Sequence, residues 1–143
     1  MFADRVAGAI VLAPPIRVED ITLRSIAQTR VAYLEVDLRR RLARHHDDAD
    51  SAFWGWNNIW LLPDFRTWSI EDEIGNIRCP LLAAQGLDDE DASLAQLHSI
   101  ARRVPQARML ELPNCQHSPH RDQPAALMAA VTHFLQDHNG DPR

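Results

Sequence analysis

The stretch Cys79-Pro80-Leu81-Leu82-Ala83-Ala84-Gln85-Gly86-Leu87-Asp88-Asp89 decides how the rest of the chain is read. Residues 80–85 form a nearly continuous apolar run, closed by a glycine and followed by acids. A half-solvated strand would alternate; a run of this kind suits a strand covered on both faces, as in a parallel sheet. Beyond it, residues 91–104 place Leu94, Leu97, Ile100 and Ala101 on one helical stripe. Arg108-Met109-Leu110-Glu111-Leu112 is another short strand, stopped by Pro113. Residues 123–138 carry Ala126, Leu127, Ala130, Val131 and Phe134, a final amphipathic helix with Gly140 and Pro142 beyond it. Two strand-then-helix units in succession predict an α/β fold with a parallel sheet and right-handed crossovers.

Towards the N-terminus, residues 6–13 are apolar throughout and read as one more buried strand, ended by Pro14-Pro15, which have no N–H to give a ladder. The uncharged run 6–16 has 11 residues, against the roughly 20 a membrane-spanning helix needs. Asp4 stands where a signal peptide would carry basic residues, and no small-x-small site follows the run, so a cytoplasmic chain is expected. The middle of the chain reads as helical. From residue 30 to 44, Val31, Leu34, Leu38 and Leu42 share one face, with Arg39, Arg40, Arg41 and Arg44 forming a solvated basic face. Residues 51–62 hold Phe53, Trp54, Trp56 and Trp60 at helical spacing: a packed core, with Trp54, Trp56 and Trp60 as candidates to line an apolar substrate pocket. A short helix over residues 68–77, with Ser69 at its N-cap, completes this segment.

Composition narrows the function classes. The 143 residues include 20 acids and 15 bases, all arginine, for a net charge of −5. Hydrophobic residues make up 45%, which is ordinary for a folded domain and excludes a disordered chain. An acidic chain without aromatics among its basic residues is no nucleic-acid binder. Two cysteines, Cys79 and Cys115, are too few for a disulfide scaffold. No phosphate-binding glycine loop or dinucleotide fingerprint occurs.

Ligands of parallel α/β sheets sit beyond the carboxyl ends of the strands. Two polar turns follow strands here, residues 86–91 and residues 114–120, and both would open on one side of the sheet. An acid on the first and a histidine on the second can meet there. The carboxylate would fix the imidazole's tautomer and stabilise its protonated form.

With these residues in hand, the chain resembles the C-terminal half of an α/β-hydrolase, with the nucleophile half missing. Residues 5–15 are similar to that family's sixth strand and its exit, and the middle to its helical cap. The strand and Gly-x-x-Asp turn of residues 79–89 resemble the acid-bearing turn, and Leu112-Pro113-Asn114-Cys115-Gln116-His117-Ser118-Pro119-His120 the histidine-bearing loop. The implied fold is a partial α/β-hydrolase domain over residues 1–143. It has about three parallel strands, with a strand in 1–16, a helical cap in 17–78 and the acid- and histidine-bearing part in 79–143. The implied catalytic residues are Asp89, with Asp88 as competitor, and His117, with His120 as alternative. The family's glycine before the histidine is Gln116 here, which bears on the loop's backbone.

The family's nucleophile elbow, Gly-x-Ser-x-Gly, is absent from this sequence. None of Ser25, Ser51, Ser69, Ser93, Ser99 and Ser118 is flanked by the required glycines. The resemblance therefore implies an ester-type hydrolase that uses Ser-His-Asp chemistry when complete. This chain would supply acid and base alone and be inactive by itself. The alternative is a non-catalytic remnant acting as a binding or protein-interaction module. The expected substrate is a small apolar acyl or ester compound. The expected partner is a separate N-terminal half, or a second copy paired through strand 6–13, since an open apolar strand is a template for pairing. No cofactor or membrane partner is expected. Cys115, His117 and His120 form a C-x-H-x-x-H cluster, and His45-His46-Asp47-Asp48 a second polar group, but no matched ligand pair follows, so no metal is expected.

Overall fold

The structure, a computed structural model, describes residues 5–138. Asp4, Gly140 and Pro142, used above in reading the ends, lie outside them. The chain divides into two compact units: residues 5–17 with 69–138, and Val18–Trp68.

The first unit holds three strands, β1 (Ala9–Leu12), β2 (Leu81–Gly86) and β3 (Ala107–Leu112), in the order β1-β2-β3. Both pairings are parallel, with Ala9 opposite Leu81 and Leu81 opposite Ala107. β2 is central and buried at all six positions, which is why its sequence does not alternate. Leu81 and Ala83 face a core of Ile16, Ile74, Leu97, Ile100 and Val104. Leu82 and Ala84 point to the opposite face by the two-residue period of a strand and are equally buried. Here α5 (Ala95–Arg103) makes the crossover from β2 to β3, while α6 (Pro119–Asp122) and α7 (Pro124–His138) follow β3 and contact β2. The strand read over 6–13 is shorter than expected and has an open side. Among the described residues β1 is an edge strand, and Ile10 and Leu12, on one face of it, remain 37% and 38% exposed, so it is not the doubly covered strand its composition suggests.

The exit from β1 is tied to α5. The buried Gln96 accepts through Oε1 from the backbone N–H of Ile16 at 3.0 Å and of Arg17 at 3.3 Å, and its Nε2 donates to the Arg17 carbonyl at 2.9 Å. One side chain thereby satisfies three backbone groups, one buried and two partly buried. Residues 69–78, read from the sequence as the end of the helical segment, belong to this unit. In α4 (Glu71–Ile74), Ile74 joins the sheet core, and Ser69 Oγ accepts from the Glu71 N–H at 3.1 Å.

The second unit contains α1 (Asp20–Glu35), α2 (Leu38–Leu42), α3 (Ala49–Trp60) and a 3-10 turn over Pro63–Thr67. The single helix expected over 30–44 is in fact two. Val36, at φ −120 and ψ −148, is extended and interrupts the 3.6-residue period. The stripe built on that period is therefore not the buried face: Val31 is 50% and Leu34 64% exposed, while α1 buries Leu23, Ile26 and Tyr33. Within the basic face, Arg39 binds both Asp50 carboxylate oxygens, at 2.9 and 2.6 Å. Asp50 also accepts from the Tyr33 hydroxyl at 2.5 Å, and hydrogen bonds from Arg39 and Tyr33 hold its carboxyl down to about 2. No helix among the described residues is long and apolar enough to cross a membrane.

Candidate functional site

The acid and the histidine lie on the two turns that leave β2 and β3 at their carboxyl ends. Parallel pairing directs both turns to the same end of the sheet. Gly86, the last residue of β2, is where they touch. A Cβ there would overlap the carbonyl of Cys115, so the close passage of the second turn requires glycine. Two backbone bonds then bind the turns together: the Leu87 N–H donates to the Leu112 carbonyl at 2.9 Å, and the Asp88 N–H to the Cys115 carbonyl at 3.0 Å.

This arrangement brings Asp89 against His117. The imidazole Nδ1 lies 3.0 Å from Asp89 Oδ1 and 3.1 Å from Oδ2. An ionised carboxylate only accepts, so Nδ1 carries the proton and Nε2 is the free proton acceptor. The Asp89 side chain is 1% exposed and that of His117 39%. Oδ1 also accepts from the N–H groups of Asp91 (2.9 Å) and Ala92 (3.1 Å). Burial pushes the Asp89 carboxyl up, but the hydrogen bonds from His117, Asp91 and Ala92 outweigh it, and the net shift is downward. The hydrogen bond His117 donates to Asp89 raises its pKa, burial opposes the rise, and the charges of Asp89, Asp91 and Glu90 add to it. Asp91 Oδ2 stands 3.9 Å from Nε2, and the His117 N–H donates to Glu90 at 3.2 Å. The pair is built to hold a proton on Nδ1, take a second on Nε2 and stabilise the cation that results.

The competing residues fall elsewhere. Asp88 is exposed, its backbone tied to the Cys115 carbonyl. His120 lies exposed on α6. Gln116, standing where the resembled family has glycine, does not adopt positive φ; the left-handed residue of this turn is Asn114, at φ 51. Asparagine tolerates that region better than most residues, and the Gln116 N–H instead donates to Asp122 at 2.9 Å. Cys115 is buried, with Sγ 3.4 Å from the Gln116 carbonyl, and burial pushes its thiol up. Among the described residues no three Cys, His, Asp or Glu side chains converge as a metal site would need.

The tryptophans belong to the Val18–Trp68 unit and face different surroundings. Trp60 lines a depression of about 390 Å³ with Leu23, Ala27, Leu61 and Pro63, flanked by Arg24 and Arg66. Trp56 borders a smaller one of about 250 Å³ with Leu38, Leu42 and Phe53. Trp54 sits edge-on to Tyr33 and Phe53, beneath the Arg30 guanidinium at 5.2 Å. They do not form one shared wall. Missing from the sequence reading were Gln85, whose amide reaches Asp89 at 3.2 Å, and the acidic surroundings contributed by Glu90 and Asp91. The one signal for Gln85 was a polar residue inside an otherwise apolar strand.

No protein-family profile and no curated protein matches the chain. Solved structures do. An esterase from Thermogutta terrifontis superposes with a TM-score of 0.60 at 20% identity, over 96% of this chain and 58% of its own. A bacterial membrane phospholipase A gives 0.70 at 16%, over 96% and 51%. The esterase RhEst1 from a Rhodococcus species gives 0.62 at 17%, over 93% and 57%. The fold is thus that of a partial α/β-hydrolase. The chain spans a little over half the length of the solved hydrolases it resembles.

Proposed function

We propose that this chain carries the acid and the general base of an ester-cleaving Ser-His-Asp hydrolase, with the serine on polypeptide outside the given sequence. The observation that carries the reading is the buried carboxylate of Asp89 held on His117 Nδ1 with Nε2 left to accept a proton. In such an enzyme His117 takes the serine proton as the acyl carbonyl is attacked and returns it to the leaving group, while Asp89 stabilises the imidazolium. The nucleophile and oxyanion donors supply much of the rate enhancement, so the chain alone turns over almost nothing. A small apolar acyl ester is the substrate class. The partner is a segment that extends the sheet at the open edge of β1, either an N-terminal half or a second copy. Free thiols at Cys79 and Cys115 suit a cytoplasmic setting.

The test is hydrolysis of p-nitrophenyl acetate by the pure chain, and by the chain fused behind a hydrolase N-terminal half that carries a nucleophile elbow. The expected result is background turnover alone, and turnover by the fusion that His117→Ala abolishes. Saturable hydrolysis by the chain alone that is lost on His117→Ala would overturn the inactive-half reading. Fusion activity indifferent to His117 would overturn the assignment of the base, and would favour the alternative of a non-catalytic interaction module.

A further inference from the structure

Gln85 is fully buried, one residue before the glycine that ends β2. Its Nε2 lies 3.2 Å from Asp89 Oδ2, 3.1 Å from the Ala92 carbonyl and 3.2 Å from the Ser93 carbonyl. All three partners are acceptors, so the orientation of the amide is decided: its NH2 group faces the turn. Gln85 Oε1 is then left buried without a hydrogen-bond partner. An unpaired buried amide oxygen is unfavourable, and an apolar side chain of the same length would avoid it. Filling the strand's inner face thus does not account for glutamine at this position. Donating to the turn that bears the acid, at Asp89 Oδ2 and at the Ala92 and Ser93 carbonyls, does. Asp89 Oδ1 accepts from two backbone N–H groups and lies 3.0 Å from His117 Nδ1; among the described residues Oδ2 has His117, at 3.1 Å, and Gln85.

We infer that Gln85 is a positioning residue of the acid–imidazole pair, donating to Asp89 Oδ2 so that the carboxylate stays ionised and turned towards His117 Nδ1. The inference rests on the reading of Asp89 and His117 as that pair. Gln85 hydrogen-bonds Asp89 and not the imidazole, and acts through Asp89. The same amide also reaches the carbonyls of residues 92 and 93, its two hydrogens shared among the three acceptors, and so ties the end of β2 to the turn bearing the acid. The charged groups facing His117 are Asp89, Glu90 and Asp91, all on the turn after β2. A substitution at Gln85 removes none of these charges.

The experiment is an NMR titration of the His117 imidazole in the whole chain, comparing wild type, Asp89→Asn and Gln85→Met. Methionine keeps the length and apolar bulk of the side chain and removes the donor. Gln85→Met is expected to lower the His117 pKa by roughly half a unit to one unit, a three- to tenfold loss of proton affinity, with a larger fall in Asp89→Asn. A fall in Asp89→Asn together with an unchanged value in Gln85→Met would overturn this inference and leave the pair standing. An unchanged value in both would overturn the pair itself. Should Gln85→Met not fold, the wild type still decides. The side-chain amide resonances of Gln85 must show an inflection at the pH where the pair titrates, and a flat response overturns the inference.

Discussion

β2, in the sheet unit, is buried at all six of its positions, whereas α1, in the Val18–Trp68 unit, buries four of sixteen. The two regions hold their side chains by different means. Around β2 the backbone does it: parallel register places the two turns, Gly86 lets them touch, and backbone bonds from Leu87 and Asp88 lock them. In the helical unit, particular side-chain contacts do it. Tyr33 and Phe53 stack at 3.7 Å, Trp60, Phe65 and Trp68 form a second cluster, and the buried Asn57 amide donates to the Ile26 carbonyl at 3.0 Å. Ladder geometry tolerates side-chain change and orients groups well, which is where acid–base chemistry belongs. A ring-stacked unit with exposed apolar residues depends on a few large contacts.

The comparison is broken most directly by Phe53→Ala, which removes the centre of the aromatic stack. A loss of about 3–5 kcal/mol is expected from urea unfolding; a loss below about 1 kcal/mol would mean the stack does not hold the helical unit. Gly86→Ala attacks the sheet unit at its tightest point. Its Cβ must displace the Cys115 carbonyl, at a cost of about 1–3 kcal/mol or more in thermal unfolding. His117 should also lose part of its elevated pKa as the turns separate; an unchanged melting temperature and titration would refute the close passage.

Asp89→Asn sharpens the comparison by altering the site without altering the ladder. His117 should then titrate below its wild-type position, as read by NMR. The wild-type pH dependence follows with its sign. The raised His117 contributes stability present below 6.5 and lost as pH rises through its folded pKa. The lowered Asp89 contributes stability present above 3.8 and lost as pH falls through its folded pKa. Their joint contribution is therefore largest between 3.8 and 6.5, and thermal melts of wild type and Asp89→Asn should differ most in that window, converge as pH falls below it, and above it keep only the part of the difference owed to Asp89. The smallest effect is expected of Arg66→Gln. Its ion pair with Asp20 has both partners mostly exposed, and a change of about 1 kcal/mol or less in urea unfolding is expected.

The parts of this protein legible in its residues are those governed by short-range rules. The unbroken apolar run ending at Gly86 marks a buried parallel strand, because a strand covered on both faces has no reason to alternate. An acid after one strand and a histidine after the next mark the pair, because parallel strands send their exits to one end of the sheet. Asn114, Gln85 and the split between α1 and α2 were not legible for a shared reason. Each depends on what packs beside it: the second turn against Gly86, the carboxylate of Asp89, and a burial face of α1 set by Tyr33 where periodicity pointed to Leu34. The same holds for the tryptophans, whose spacing announced a helix but not which side of it each ring would meet. Residue order by itself determined the strands, the turns and the chemical types at their tips, since those follow from hydrophobic period and backbone chemistry within a few residues. Only the tertiary structure decided that Asp89, not its neighbour Asp88, meets the imidazole, because that choice depends on how the turn is drawn over Gly86 and on which carboxylate the backbone N–H groups of Asp91 and Ala92 can reach.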